Sequence, residues 1–276
     1  MSTTETSHRP AHTGRTVTLI VVGVVIMAMI VWLVVGAVRA AARPDASGTF
    51  EIDERFHTVV LDSELADVDI AYRDVARSEL TLRQGDSRER LQLEHEVRGD
   101  TLHVSLRNVR ELGLPDLRWP WFGDRSPQLE LVLPIALEHE PVALEVRTDV
   151  GDIDATGAFA NVSLRSNVGD IELGGSADSL AVHTEAGEIG LERFSTEGEL
   201  TARSAVGDVT IALEALPSGI RVETEAGEVH VDLPEGRYAL TADTSLGDVD
   251  IDADTDSSAA RQYEFTTSVG DISVSS

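Results

Sequence analysis

Between Val142 and Ser276 one short phrase recurs seven times, as DVGDID, NVGDIE, EAGEIG, AVGDVT, EAGEVH, SLGDVD and SVGDIS. Its glycines are Gly151, Gly169, Gly187, Gly207, Gly227, Gly247 and Gly270, separated by 18, 18, 20, 20, 20 and 23 residues. A period near 20 predicts one small unit repeated by stacking. A unit that exposes an apolar face cannot fold alone, so the copies must cover one another.

The flanking positions say what each unit is. Seven residues before the glycines stand Leu144, Val162, Leu180, Leu200, Ile220, Leu240 and Tyr263, and five before them Val146, Leu164, Val182, Ala202, Val222, Ala242 and Phe265. Three before, every copy carries a hydroxyl: Thr148, Ser166, Thr184, Ser204, Thr224, Thr244 and Thr267. One before, the residue is again small or apolar, from Val150 to Val269. Period two is the mark of a strand, and all four positions read as its inward face. Beyond the glycine the apolar positions fall at plus two and plus four, as in Ile153 and Ala155, so the alternation slips by one residue at Gly-Asp/Glu. A bulge or corner produces that slip, and glycine suits it because it accepts positive φ.

Parallel stacking of these units, strand on like strand about 4.8 Å apart, predicts an all-β fold: a single-chain parallel β-solenoid of about seven to eight rungs. Ile153, Ile171 and Ile189 should then form one vertical file. The hydroxyls should line the inside of the corner and bond along the stack or to the turn backbone. The acids after the glycines, Asp152, Asp170, Glu188, Asp208, Glu228, Asp248 and Asp271, should form an outer column. Like charges at that spacing repel by about 0.9 kcal/mol even in bulk water. Arg147, Arg165, His183 and Arg203, four before their glycines, are the expected relief by pairing across to that column, helped by solvation. Calcium held between rungs is the alternative, but the GGxGxD nonapeptide of calcium-binding rolls is absent. The run Asp248, Asp250, Asp252, Asp254, Asp256 imitates an EF-hand loop, yet Ala253 and Ala259 stand where its glycine and bidentate glutamate are required.

Upstream, Val59, Leu61, Ser63, Leu65, Ala66, Asp67, Val68 and Ile70 fit the same template with alanine in the glycine place, and predict a first rung. Period-two runs at Leu80–Leu82, Leu91–Val97, Leu102–Leu106 and Leu129–Leu133 are irregularly spaced, and predict a more ordinary β-layer that caps or pairs with the solenoid. Residues 112–122, LGLPDLRWPWF, interrupt the polar habit of the surface. Trp119, Trp121 and Phe122 read either as a lid over one end of the stack or as a contact patch for a partner, lipid headgroups or a sugar.

Residues 1–15 are polar and read as a disordered tail, and 16–38 as a transmembrane helix. Val17–Val38 holds 22 residues without a charge, about 33 Å of helix against a hydrocarbon core of about 30 Å. Ala40, Ala41 and Ala42 could alternatively end a cleaved signal peptide, though the apolar stretch is long for one. Arg9 and Arg15 balance Arg39 and Arg43, so basic residues do not orient the segment. From residue 44 on there are 48 acidic and 18 basic side chains. An anionic cytoplasmic leaflet would repel that domain, which favours placing it outside. A linker at 39–49 then leads to an N-terminal β region at 50–141 and the regular repeats at 142–276.

Chemistry finds little support. There is no cysteine, and all 22 basic residues are arginine, which excludes thiolate sites, Schiff-base chemistry and a phosphate-loop lysine. The eight histidines are scattered, without HExxH, and neither GxSxG nor a cofactor motif is present. No catalytic, cofactor-binding or metal-binding residue is therefore assigned. A polysaccharide-active enzyme using outward carboxylates remains the catalytic alternative. Nucleic acid is an unsuitable partner for so acidic a chain.

The recurring [VAL]-G-[DE]-[IV]-x-[VIL] phrase preceded by Ser or Thr, the strand ending Leu131-Val132-Leu133-Pro134 and the single preceding apolar segment resemble the bacterial putative-adhesin or toastrack β-repeat family. The resemblance spans roughly residues 50–276. It implies a repetitive, non-catalytic, envelope-associated β-fold, sometimes linked to membrane stress systems. The resulting expectation is a membrane-anchored binding or scaffolding module facing an envelope protein or cell-wall partner. A self-assembling element is the structural alternative, since the chain stops two residues after Val274 and suggests an uncapped C-terminal edge.

Overall fold

The computed structural model describes residues 48–83, 91–108 and 126–276. Val17–Val38 and the segment holding Trp119, Trp121 and Phe122 lie outside these residues, and no helix among the described residues is long and apolar enough to cross a membrane.

The N-terminal strands are β1 (Gly48–Ile52), β2 (Thr58–Ser63), β3 (Asp67–Arg73), β4 (Ser78–Arg83), β5 (Leu91–Arg98), β6 (Thr101–Asn108) and β7 (Gln128–Pro134). One short 3-10 helix, Ile135–His139, precedes β8 (Val142–Val150), β9 (Ile153–Val168), β10 (Ile171–Ala186), β11 (Ile189–Thr196), β12 (Glu199–Val206) and β13 (Val209–Leu213). The chain closes with β14 (Gly219–Ala226), β15 (Val229–Asp232), β16 (Ala239–Leu246), β17 (Val249–Asp252), β18 (Gln262–Val269) and β19 (Ile272–Ser275).

Each turn of the chain places one strand before the corner glycine and one after it, on two faces of a common core. Successive turns pair in parallel. Ile171 lies opposite both Ile153 and Ile189, and the file continues through Val209, Val229, Ile272 and Val249. The predicted vertical file is therefore present. On the opposite face Leu144, Val162, Leu180, Leu200, Ile220, Tyr263 and Leu240 stack in the same way. Apart from the last turn, these side chains are almost wholly buried in one continuous core. Its enclosure is the main stabilising term, at about 25 cal/mol for each Å² of apolar surface removed from water.

Space does not follow chain order at either end. At the N-terminal end, β2 and β3 pair with β8 and β9 on one side and with β6 and β7 on the other, all in parallel. The irregular upstream region thus contains the predicted Ala66 rung and one further parallel layer, which makes nine layers among the described residues rather than seven to eight. Antiparallel β5 covers β6, while β4 and then β1 cover β7. These strands form the cap.

At the C-terminal end, β18 and β19 insert between β14/β15 and β16/β17. The expected open C-terminal edge is therefore corrected: the chain's last strands are internal, and among the described residues the uncovered turn is the one built on Gly247. The inserted turn carries the bulky Tyr263 and Phe265, both buried, whereas the outer turn carries Leu240 and Ala242 in the same files. Burying the larger side chains on both sides removes more apolar surface from water. Tyr263 also stacks on Tyr238 at 5.1 Å between ring centroids and donates its hydroxyl to the Pro217 carbonyl at 2.9 Å.

Candidate functional site: the corner column and the open end

The corner repeats with little variation. Each of the seven glycines has φ between 138° and 159°. A Cβ there would lie about 2 Å from the carbonyl oxygen of the neighbouring corner, as for Gly207 against Gly187 O at 2.0 Å. Positive φ and close backbone approach therefore select glycine together. The corner hydroxyls point inward. Ser166, Thr184, Ser204, Thr224, Thr267 and Thr244 donate to the glycine carbonyls of adjacent turns at 2.9–3.3 Å. Thr148, whose neighbouring corner is Ala66, makes no such bond among the described residues.

The acid column is stabilised in a way the sequence reading did not anticipate. Asp67, Asp152, Asp170, Asp208 and Asp271 each accept a hydrogen bond from the backbone N–H of the acid in the next layer, at 2.8–3.3 Å. Charge-assisted bonds of this kind offset repulsion along the column. Among the described residues the arginines make no cross-column pairs. Arg147, Arg203 and Arg221 pair instead with Glu145, Glu223 and Glu264 on their own face at 2.7–3.0 Å. Arg165 lies 3.8 Å from Glu185. His183 sits between Arg165 and Arg203, and partial burial together with those cations holds its pKa below the ordinary value despite Glu185.

The residue before each glycine is also corrected: it faces out. Val150, Val168, Val206 and Val269 are 45–58% exposed and Leu246 reaches 68%. Paired in register with Ala186 and Ala226, they make an apolar ridge along the corner. The two residues preceding the glycine both lie outside, so the slip in alternation begins there rather than at the glycine itself.

A shallow acidic groove opens on the other face, lined by Asp67, Asp69, Gln128, Glu130, Asp152 and Asp154, with Arg83 at its edge. Glu130 is buried and bridged by Arg73 at 2.8 Å and Arg83 at 2.9 Å. Desolvation pushes the Asp69 carboxyl up, with Asp154 and Glu130 adding to the shift while Arg73 and Arg83 oppose it. Among the described residues no group of three or more His, Asp or Glu side chains could hold a metal ion.

The open end combines three unsatisfied features. In the inner layers the N–H two residues beyond the glycine donates to the acid carbonyl of the next layer, from Val68 on Asp152 to Ile272 on Asp248 at 2.8–2.9 Å. Val249, in the same position on the outer turn, has no next layer among the described residues. Its side chain is 41% exposed and that of Ile251 42%, although both belong to core files. Asp250 stands between them and Asp248 and Asp252 flank them, all three exposed.

Comparison with known proteins agrees with this architecture. Residues 135–275, just over half of the chain, match the family described as Toastrack DUF4097. The chain belongs to this family. A putative adhesin from Bacteroides fragilis has a TM-score of 0.52 at 13% identity, covering 84% of this chain and 98% of its own. It has the same fold. A putative cell adhesion protein from Clostridium sporogenes matches at 12% identity over 83% of this chain and 98% of its own, with a TM-score of 0.42. No curated protein matches the sequence.

Proposed function

We propose that this toastrack chain is a single-pass membrane protein, held by Val17–Val38, that presents its acidic β-stack outside the membrane as a non-catalytic, adhesin-like or envelope-stress-associated scaffold for a protein or cell-wall partner. The observation that carries this reading is the division of labour in the repeat. The corner hydroxyls are turned inside and bonded to glycine carbonyls, while the outer surface offers long rows of chemically similar side chains at the spacing of the stack. Such rows recognise extended partners by repetition, and they supply no nucleophile activated by a base. The adhesin description of the Bacteroides fragilis relative points the same way. Trp119, Trp121 and Phe122 are candidate partner contacts.

The test is protease shaving of intact cells combined with photo-crosslinkers at Val168 and Val206. Cleavage of the domain from outside and capture of an envelope component are expected. A domain cut only after lysis would overturn the orientation, and turnover of wall glycan by the purified chain would overturn the non-catalytic reading. Trp119→Ala with Trp121→Ala should abolish partner capture at unchanged melting temperature; lost stability would instead make these residues a lid.

A further inference from the structure

We infer that the open turn is a docking edge for an extended segment of another protein, one that alternates apolar residues with arginine or lysine. The inference rests on the binding-module reading and gives it a partner chemistry. From Asp248 to Asp254 the chain reads DVDIDAD, an acid at every second position. The strand parity of β17 sends Asp248, Asp250 and Asp252 outward while Val249 and Ile251 continue files that are fully buried one layer below, at Ile272 and Val274. An added strand would cover Val249 and Ile251 with its own apolar side chains and satisfy the outward backbone groups of β17. Its intervening residues would fall beside the aspartates.

Charge selects the occupant. On the strand before the corner, inner layers set opposite charges side by side, as in Arg203 with Glu223 and Arg221 with Glu264. From residue 238 to 260 there is no basic side chain at all. Cross-strand opposite charges are favourable and like charges directly opposite are unfavourable. A second copy of this chain is therefore a poor occupant. Tail to tail it would bring the same aspartate run against itself, and its far end is covered by antiparallel β1, β4 and β5.

The full-length chain in detergent, mixed with a capped peptide Arg-Val-Arg-Ile-Arg-Ala-Arg, tests this by amide hydrogen exchange and titration. Protection should appear at the Val249 and Ile251 amides. The alternating peptide should bind about tenfold more tightly than one of the same composition with its arginines gathered at one end, as expected from three cross-strand charge pairs. Asp250→Arg with Asp252→Arg should transfer the preference to a Glu-Val-Glu-Ile-Glu-Ala-Glu peptide. Equal binding of the alternating and segregated peptides, no binding, or protection elsewhere would overturn the inference. So would a dimer of the unliganded chain protected at these amides. Any of these results with envelope capture retained at Val168 or Val206 refutes the docking edge and leaves the binding module standing; loss of all capture refutes the module.

Discussion

Aspartate and glutamate are not interchangeable after the corner glycine. The five ladder bonds from a backbone N–H to a post-corner carboxylate all use aspartate, and the two breaks fall at Glu188 and Glu228, ahead of Asp208 and Asp271. The extra methylene carries the carboxylate past the N–H it would have to meet. Glu188→Asp should therefore complete the bond to Asp208 and stabilise the chain by about 0.5–1.5 kcal/mol in urea unfolding. The corner glycines give the opposite sign. Gly207→Ala puts a Cβ 2.0 Å from the Gly187 carbonyl at a φ of 142°, and should cost roughly 2–4 kcal/mol. Gly190→Ala meets nothing nearer than Glu172 Cγ at 3.7 Å, and should change stability by no more than about 0.5 kcal/mol. Asp69 supplies a pH dependence. Its folded pKa lies above the ordinary 3.8, so the fold resists its charged form. The stability linked to this group is present below the unfolded pKa and is lost as pH rises through the folded value. Asp69→Asn should thus raise the melting temperature at pH 7 and reduce the decline between acid and neutral pH.

At the scale of elements, the order of turns is set by side-chain volume. Tyr263 and Phe265 fill files occupied elsewhere by Leu, Ile, Val and Ala, and the structure gives them a neighbour on each side. Phe265→Ala should cost about 3–5 kcal/mol, and Leu240→Ala in the uncovered turn markedly less, because its site is already open to water. The inserted order can be read directly in a chain without native cysteines. Glu223 lies opposite Thr266, and Thr266 opposite Asp243. Cysteines at 223 and 266 should form a disulfide on oxidation, since adjacent strands meet its geometry. Cysteines at 223 and 243 lie two layers apart and should remain reduced; the reverse result would mean that the turns stack in chain order.

For the whole molecule, a stack is a nearly one-dimensional object whose weak places are its ends. The two ends differ. One is covered by antiparallel strands that satisfy its backbone, and the other exposes core files flanked by aspartates. Across the chain a net charge of −27 adds self-repulsion, which salt screens over about 10 Å at 0.1 M. Raising sodium chloride from about 0.01 to 0.1 M should therefore raise the melting temperature of the wild type. The gain should be smaller for a variant in which Asp243, Asp250 and Asp252 are asparagine.

The sequence alone determined the repeating unit, because each demand is local. A carbonyl beneath the corner admits only glycine, a shallow inner corner admits only a hydroxyl, and period two separates inside from outside. The Gly-to-Gly spacing, the isoleucine file and the disguised Ala66 turn were legible on those grounds. Only the tertiary structure decided which turn lies beside which. Parallel layers with interchangeable apolar files pair with nearly equal ease in several orders, and the choice falls to the total volume buried, as with Tyr263 and Phe265. The outward Val150 row was misread for a related reason, since alternation locates a slip only to within the residues that share it. The aspartate ladder escaped notice because its donors are backbone N–H groups, placed by the stack and carried by no particular side chain.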